Sequence, residues 1–268
     1  VSTIDKYKFK EKEYVEAIIE NGFISKNLSY ELKLLAKYYK ELGYKPKKRE
    51  ELLYDFCEKN IENFSRVLYY KKINSVLNHA RKKENILINI DEIDITENEL
   101  RFIDRLDINH QQKKLCFTLL ALAKLYSTVH YIKHGEHSTE HYYGGNNKRY
   151  KELIDTSHTS LTANKLHQNI GELATKDIVE IRNKGFIKLS FIYGIEPGGE
   201  TAIKIRSFDS IGLYYDLHTG QKKVKSCVNC QTPFRFKSNK SKYCPSCASD
   251  IAKEKTRARV RKHRNVTL

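Results

Sequence analysis

The chain has 268 residues, 40% of them hydrophobic and 31% charged, with four Pro and a formal net charge of +16. That balance excludes a wholly disordered chain and leaves room for two or three small domains. No apolar run approaches the roughly 20 residues that span a bilayer, and no secretory signal opens the chain, so a cytoplasmic protein with reduced thiols is expected.

Residues 1–84 read as four helices with short connections, a small bundle. Val15, Ile18 and Ile19 recur on one face, up to Gly22. Leu32, Leu34, Leu35, Tyr38 and Tyr39 form the next stripe, and Gly43 sits where a helix stops. Pro46 restarts the chain, with Leu52, Leu53, Phe56 and Cys57 inward. The fourth helix spans about 65–83 and carries Val67, Leu68, Ile73, Val76 and Leu77. Nothing electropositive flanks Cys57, so it reads as core.

Residues 85–95 are rich in β-branched side chains and read as a short strand or extended connector. Asp91, Glu92 and Asp94 cluster there as a solvated turn. Thr96 and Glu99 form a capping box for a helix with Leu100, Phe102, Ile103 and Leu106 inward. A longer helix, about 111–130, has a broad apolar face that includes Leu115, Cys116, Leu119 and Leu120, so it is read as a central helix. A polar loop is expected next, with His130, His134, His137 and His141. A second metal site there is the weaker reading, because Gly135 breaks the helix.

Residues 146–206 have a recognisable order. A helix spans about 148–154, a turn 155–158, and a second helix starts near Thr159 or Ser160. Leu161, Leu166, Ile170 and Leu173 face inward, and Gly171 is a candidate end. Strands at 178–182 and 186–192 are joined by Asn183-Lys184-Gly185, a hairpin signal. A third strand covers about 202–205. Helix, helix, turn, helix, hairpin is the order of a winged helix-turn-helix, in which the second helix of the motif enters the major groove. The outward set would be Thr162, Asn164, Lys165, His167, Gln168 and Asn169. Asn and Gln can bond adenine at two points, and Lys can reach guanine or phosphate. Arg182, Lys184 and Lys188 on the hairpin would meet phosphates. The competing reading is a small α+β domain with a polar exposed helix.

The last stretch carries Cys227-Val-Asn-Cys230, thirteen residues, then Cys244-Pro-Ser-Cys247. Two such pairs, each on a tight turn, have the spacing of a four-thiolate zinc ribbon. Redox dithiols or disulfides are the alternative. Phe234, Phe236 and Tyr243 would pack beside the metal. Residues 221–268 hold 14 Lys/Arg against Asp250 and Glu254, which is +12 of the +16. Lys253, Arg257, Arg261 and Arg264 form one helical stripe, with Lys255, Arg259 and Lys262 beside it. Alone the tail is expected to fray by self-repulsion, and on a phosphate backbone to become helical. It has no large apolar face for a membrane surface. A merely solubilising tail is the plainer reading.

Lys242-Tyr243-Cys244-Pro245-Ser246-Cys247 and the run from Lys253 resemble uncharacterised phage and mobile-element proteins of low-GC Gram-positive bacteria. Those combine a winged helix with a C-terminal zinc ribbon and a Lys/Arg-rich helix. The likeness is firm over the ribbon and loose over 86–206. It implies a nucleic-acid role in a bacterial host cytoplasm and supplies no reaction.

The expected fold class is therefore α+β, mostly helical: a bundle over 1–84, a winged helix over 85–220, and a zinc ribbon with basic tail over 221–268. The expected function is sequence-specific DNA binding without catalysis, as a transcriptional regulator, with Zn²⁺ as cofactor. Residues 1–84 would bind a partner or a second copy. The rivals are a replication or recombination accessory for origins, ends or single strands, a metal-dependent nuclease using the His loop or Asp91–Asp94, and an RNA-binding ribbon protein. No phosphate-cradling Gly-rich loop and no Ser/His/Asp set favours an enzyme.

Overall fold

The computed structural model describes residues 7–136 and 141–266, with side chains as far as Arg261. The fold is mostly helical with small antiparallel sheets, an α+β class. It divides into two compact units: 1–91 with 126–139, and 92–125 with the residues from 140 onward.

The first unit holds α1 (Glu11–Asn21), α2 (Leu28–Glu41), α3 (Pro46–Asn60) and α4 (Arg66–Arg81). Asn27 caps α2 by accepting from the Tyr30 amide, and Pro46 opens α3 where no amide donor is needed. Tyr14, Ile18, Leu32, Leu35, Leu53, Ile73 and Val76 are among the residues that close the core. Two buried carboxylates brace the loops. Glu31 accepts from the Tyr14 hydroxyl at 2.6 Å and from the Ile24 and Ser25 amides at 3.0 and 2.6 Å. Glu11 accepts from the Ile88 amide at 3.0 Å and pairs with Lys37 at 2.9 Å.

Three expected core residues are outside. Ile19 is 45% exposed, Val67 86% and Leu68 78%. In α4 the inward face is Ile73, Val76, Leu77 and Ala80, and one turn earlier that face is Tyr69. Cys57 is buried, and burial pushes its thiol up to about 11.

In the second unit, β1 (Ile93–Thr96) pairs antiparallel with β5 (Thr201–Ile205), Ile93 opposite Ile205. The expected strand over 85–95 thus narrows to its end. The carboxylate turn is partly tied down, since Glu92 pairs with Lys204 at 2.5 Å and Arg206 at 3.1 Å. The Thr96–Glu99 capping box is formed at both bonds and opens α5 (Glu97–Arg105).

α6 runs His110–His134. Its side chains from Lys114 to Ala123 are all buried, as in a helix packed on every side. By length and composition it could cross a membrane, but 56% of that stretch is buried inside the protein. Burial pushes the Cys116 thiol up to about 12. The helix extends a full turn past the expected stop. His130 and His134 are therefore helical, and Gly135, at φ +76°, ends it.

β2 (Tyr142–Gly144), read in the sequence as loop, pairs with β4 (Phe186–Lys188), which pairs with β3 (Glu180–Arg182). Both hairpin strands are shorter than expected. Residues 190–194 leave the sheet as a 3₁₀ turn. β5 joins β1 instead of the hairpin. α7 (Asn147–Ser157) is longer than predicted. α8 (Ala163–Thr175) starts later, and passes through Gly171 with open space at that position. α9 (Ile211–His218), which the sequence left unassigned, is buried from Ile211 to Asp216. The chain closes with β6 (Val224–Ser226), β7 (Pro233–Arg235) and α10 (Pro245–Val266).

Candidate metal centre and nucleic-acid interface

The hairpin β6–β7 pairs Val224 with Arg235 and Ser226 with Pro233. Its turn carries the first cysteine pair. Gln231 adopts φ +58° there, its amide donates to the Cys227 carbonyl at 2.9 Å, and the Cys227 amide donates to the Thr232 carbonyl at 2.9 Å. The second pair is not on a turn of the same kind. Pro245 begins α10, so Cys244 sits just before the helix and Cys247 in its first turn. The Val228 amide donates to the Lys242 carbonyl at 3.1 Å and holds the two halves together.

The four Sγ atoms lie within 4.8 Å of one another. Cys230 and Cys244 sulfurs are 3.7 Å apart. A tetrahedron of metal–sulfur bonds of about 2.3 Å has edges of about 3.8 Å, so the cluster can hold a metal ion. Backbone donors face the sulfurs: Cys244 N–H to Cys227 at 3.3 Å and Cys247 N–H to Cys244 at 3.5 Å. Asn229 adds its side-chain amide to Cys247 at 3.5 Å. Burial opposes ionisation of Cys227, but the amides of Cys244, Cys230 and Asn229 outweigh it and bring that thiol down to about 6. Cys244 goes the other way, to about 12, through burial and its sulfur neighbours. Phe234 and Phe236 cover the cluster, while Tyr243 is 37% exposed.

Among the described residues no other group of three or more such ligands gathers. His130 and His134 share a face with ring centroids 4.5 Å apart, and both are exposed. His137 lies outside the described residues. His141 stands in a separate segment at the start of β2.

The turn between α7 and α8 covers 158–162 and has no glycine. His158 and Ser160 take φ +50° and +58° instead, a conformation that side chains seldom adopt. His158 is pinned: its Nε2 meets the Asp209 carbonyl at 3.0 Å, and its own carbonyl accepts from Lys114 at 3.1 Å and Arg235 at 2.9 Å.

The expected outward residues of α8 separate into two groups. Thr162 is the N-cap, accepting from the Lys165 amide, so it is not a residue of the helix body. His167 lies on the Tyr150 ring at 5.0 Å between centroids. Gln168 donates to Glu172 at 3.1 Å, and Asn169 donates to the Lys165 carbonyl at 2.8 Å. Asn164 and Lys165 are exposed with no side-chain bond among the described residues. On the hairpin, Arg182 pairs with Glu180 at 2.8 Å, Lys184 sits exposed at the tip with φ +60°, and Lys188 lies over Tyr193 at 5.3 Å. On α10, Lys253, Arg257, Arg259 and Arg261 are exposed. The Arg264 backbone is helical and its side chain lies outside the described ones. The backbone is helical from Pro245 to Val266, continuous with the turn that carries Cys247.

Sequence reading missed the centre of this unit. Asp216, 4% exposed, meets Lys114 at 2.5 Å, His110 at 3.3 Å and Arg235 at 3.6 Å. Gly212 lets α9 approach: a Cβ there would stand 1.9 Å from the Ser157 carbonyl oxygen. The signal was a charge inside each apolar run, Lys114 before Leu115-Cys116-Phe117 and Asp216 after Leu213-Tyr214-Tyr215. Such a charge is buried only with a partner.

No family model, curated protein or solved structure matches the chain.

Proposed function

We propose that the chain is a sequence-reading DNA-binding protein, a regulator of transcription in a phage or mobile element, with one zinc ion on its four cysteines. The carrying observation is the arrangement around α8. Three helices, α6 to α8, are followed by the β3–β4 hairpin, and β2, between the first two helices, completes the sheet. That supports a winged helix-turn-helix, in which α8 would enter the major groove. Asn164 and Lys165 are exposed near its N-terminal end, where base edges are read. Four thiols in a closed, largely buried cluster suit structural zinc. The cations of α10 would add affinity for phosphates without sequence choice. Residues 1–84 would bind a partner or a second copy.

The test is selection of bound duplexes from a random library by the purified protein, with a salt titration of the winners. A sharp sequence motif is expected. Absence of salt-sensitive DNA binding would overturn the reading. A second reading, a replication or recombination accessory, draws on the exposed Phe186 and Tyr193 beside Arg182, Lys184 and Lys188. Aromatics among cations suit unpaired bases. A preference for forked or single-stranded DNA in the same assay would select it.

A further inference from the structure

We propose that the second unit carries a phosphate-binding cavity, distinct from the face of α8 and from the cysteine cluster. A cavity of ≈ 330 Å³ opens between the first turns of α6, the His158 turn, Asp216 of α9, the segment 221–224 and Arg235 of β7. Lys114, Lys222, Lys223 and Arg235 line it against the single carboxylate of Asp216, a net charge of +3. That carboxylate is already engaged by Lys114, Arg235 and His110. It satisfies the inner cations and leaves the outer two in surplus.

Lys222 and Lys223 are exposed at the cavity, and neither makes an ion pair among the described residues. Lys223 is also held at φ +69°, with its carbonyl accepting from the Phe236 amide at 3.0 Å. A non-glycine residue in this conformation is uncommon, and such positions gather where a side chain must be presented in one place. Two free ammonium groups and a guanidinium around one space suit a multiply charged tetrahedral anion. The cavity also has room for the organic part of an ester beside the anion. The ligand class is therefore a phosphate ester. It can be the backbone of a bound nucleic acid or a free phosphorylated small molecule.

The probe is thymidine 3′,5′-bisphosphate, titrated into the full zinc-loaded chain at fixed ionic strength and read by phosphorus NMR and calorimetry. Wild type is expected to bind it. K222A/K223A should bind at least tenfold more weakly, because two charge-assisted bonds to the phosphates are lost. K148A/K151A removes the same charge from the exposed side of α7 and should leave the affinity unchanged. No binding by wild type, no loss in K222A/K223A, or an equal loss in K148A/K151A would overturn the proposal. A duplex titration then names the source. A salt slope lower by about two in K222A/K223A assigns the cavity to backbone phosphate, and an unchanged slope assigns it to a small molecule. The cavity does not depend on the DNA reading: a wild type that takes the bisphosphate and no DNA sinks that reading and leaves this one standing.

Discussion

Lys114 Nζ lies 2.5 Å from Asp216 Oδ2, with both side chains almost sealed from solvent. Such a pair contributes little net stability, because two desolvation costs offset its attraction. Breaking it is another matter. Asp216→Ala should cost about 3–5 kcal/mol by leaving Lys114 buried and unpaired. The double variant Lys114→Met/Asp216→Leu should recover most of that loss. Urea unfolding of the two singles and the double, followed by circular dichroism, measures the coupling directly. Additive losses would show that the two groups do not depend on each other.

The cysteine cluster should hold one zinc ion per chain, measurable by atomic emission. Stripping it with a chelator should unfold the β6–β7 hairpin, because three of the four residues in its hydrophobic cluster, Cys227, Phe234, Cys244 and Cys247, are metal ligands. Cys244→Ser should copy the chelator and lower the metal content. A fully folded hairpin without metal would contradict this.

Asn164 and Gln168 should behave differently, although both sit on the exposed side of α8. Asn164→Ala should change which base is preferred at one position by about 1–3 kcal/mol. Gln168→Ala should do less, because Gln168 is committed to Glu172 in the free protein. Removing residues 248–268 should weaken all sequences alike and flatten the salt dependence. A library selection on each variant separates the three outcomes.

Acid should destabilise the second unit through His158. Burial is the main cause that lowers its pKa from the ordinary 6.5, with Lys114 and Arg235 acting in the same direction against the Asp209 carbonyl. A base whose pKa falls on folding binds fewer protons folded than unfolded. Its contribution is complete above about pH 6.5 and is lost as pH falls through the depressed value. His141, lowered chiefly by burial, adds to the same trend. The melting temperature should therefore drop between pH 7.5 and 5.5, and His158→Gln should flatten that slope.

The four helices α1 to α4 were legible because their stops are chemical. Gly22, Gly43 and Pro46 are fixed by backbone sterics, and the inward stripes have a 3.6-residue period. The capping box at Thr96 was legible for the same local reason. What failed was non-local. Nothing in Thr201–Ile205 says that its partner is Ile93–Thr96 and not the nearer hairpin. β2 was hidden by its brevity and by the polar residues around it. The cysteine cluster was readable from spacing alone, but not that Pro245 turns its second pair into the start of a helix. In α8, periodicity gave the buried face of Leu166, Ile170 and Leu173. It could not tell which exposed amides are already spent within the protein.

Arg235 belongs to β7, in the hairpin that the cysteines close, yet its guanidinium donates to the carbonyl of His158, which opens the turn into α8. That bond makes the turn a reporter on a cluster far away in sequence. When the hairpin melts, the clasp on His158 goes with it. Amide chemical shifts from 158 to 162 should then move together with those of the cysteine loop itself, so that losing an ion at one place is recorded at another.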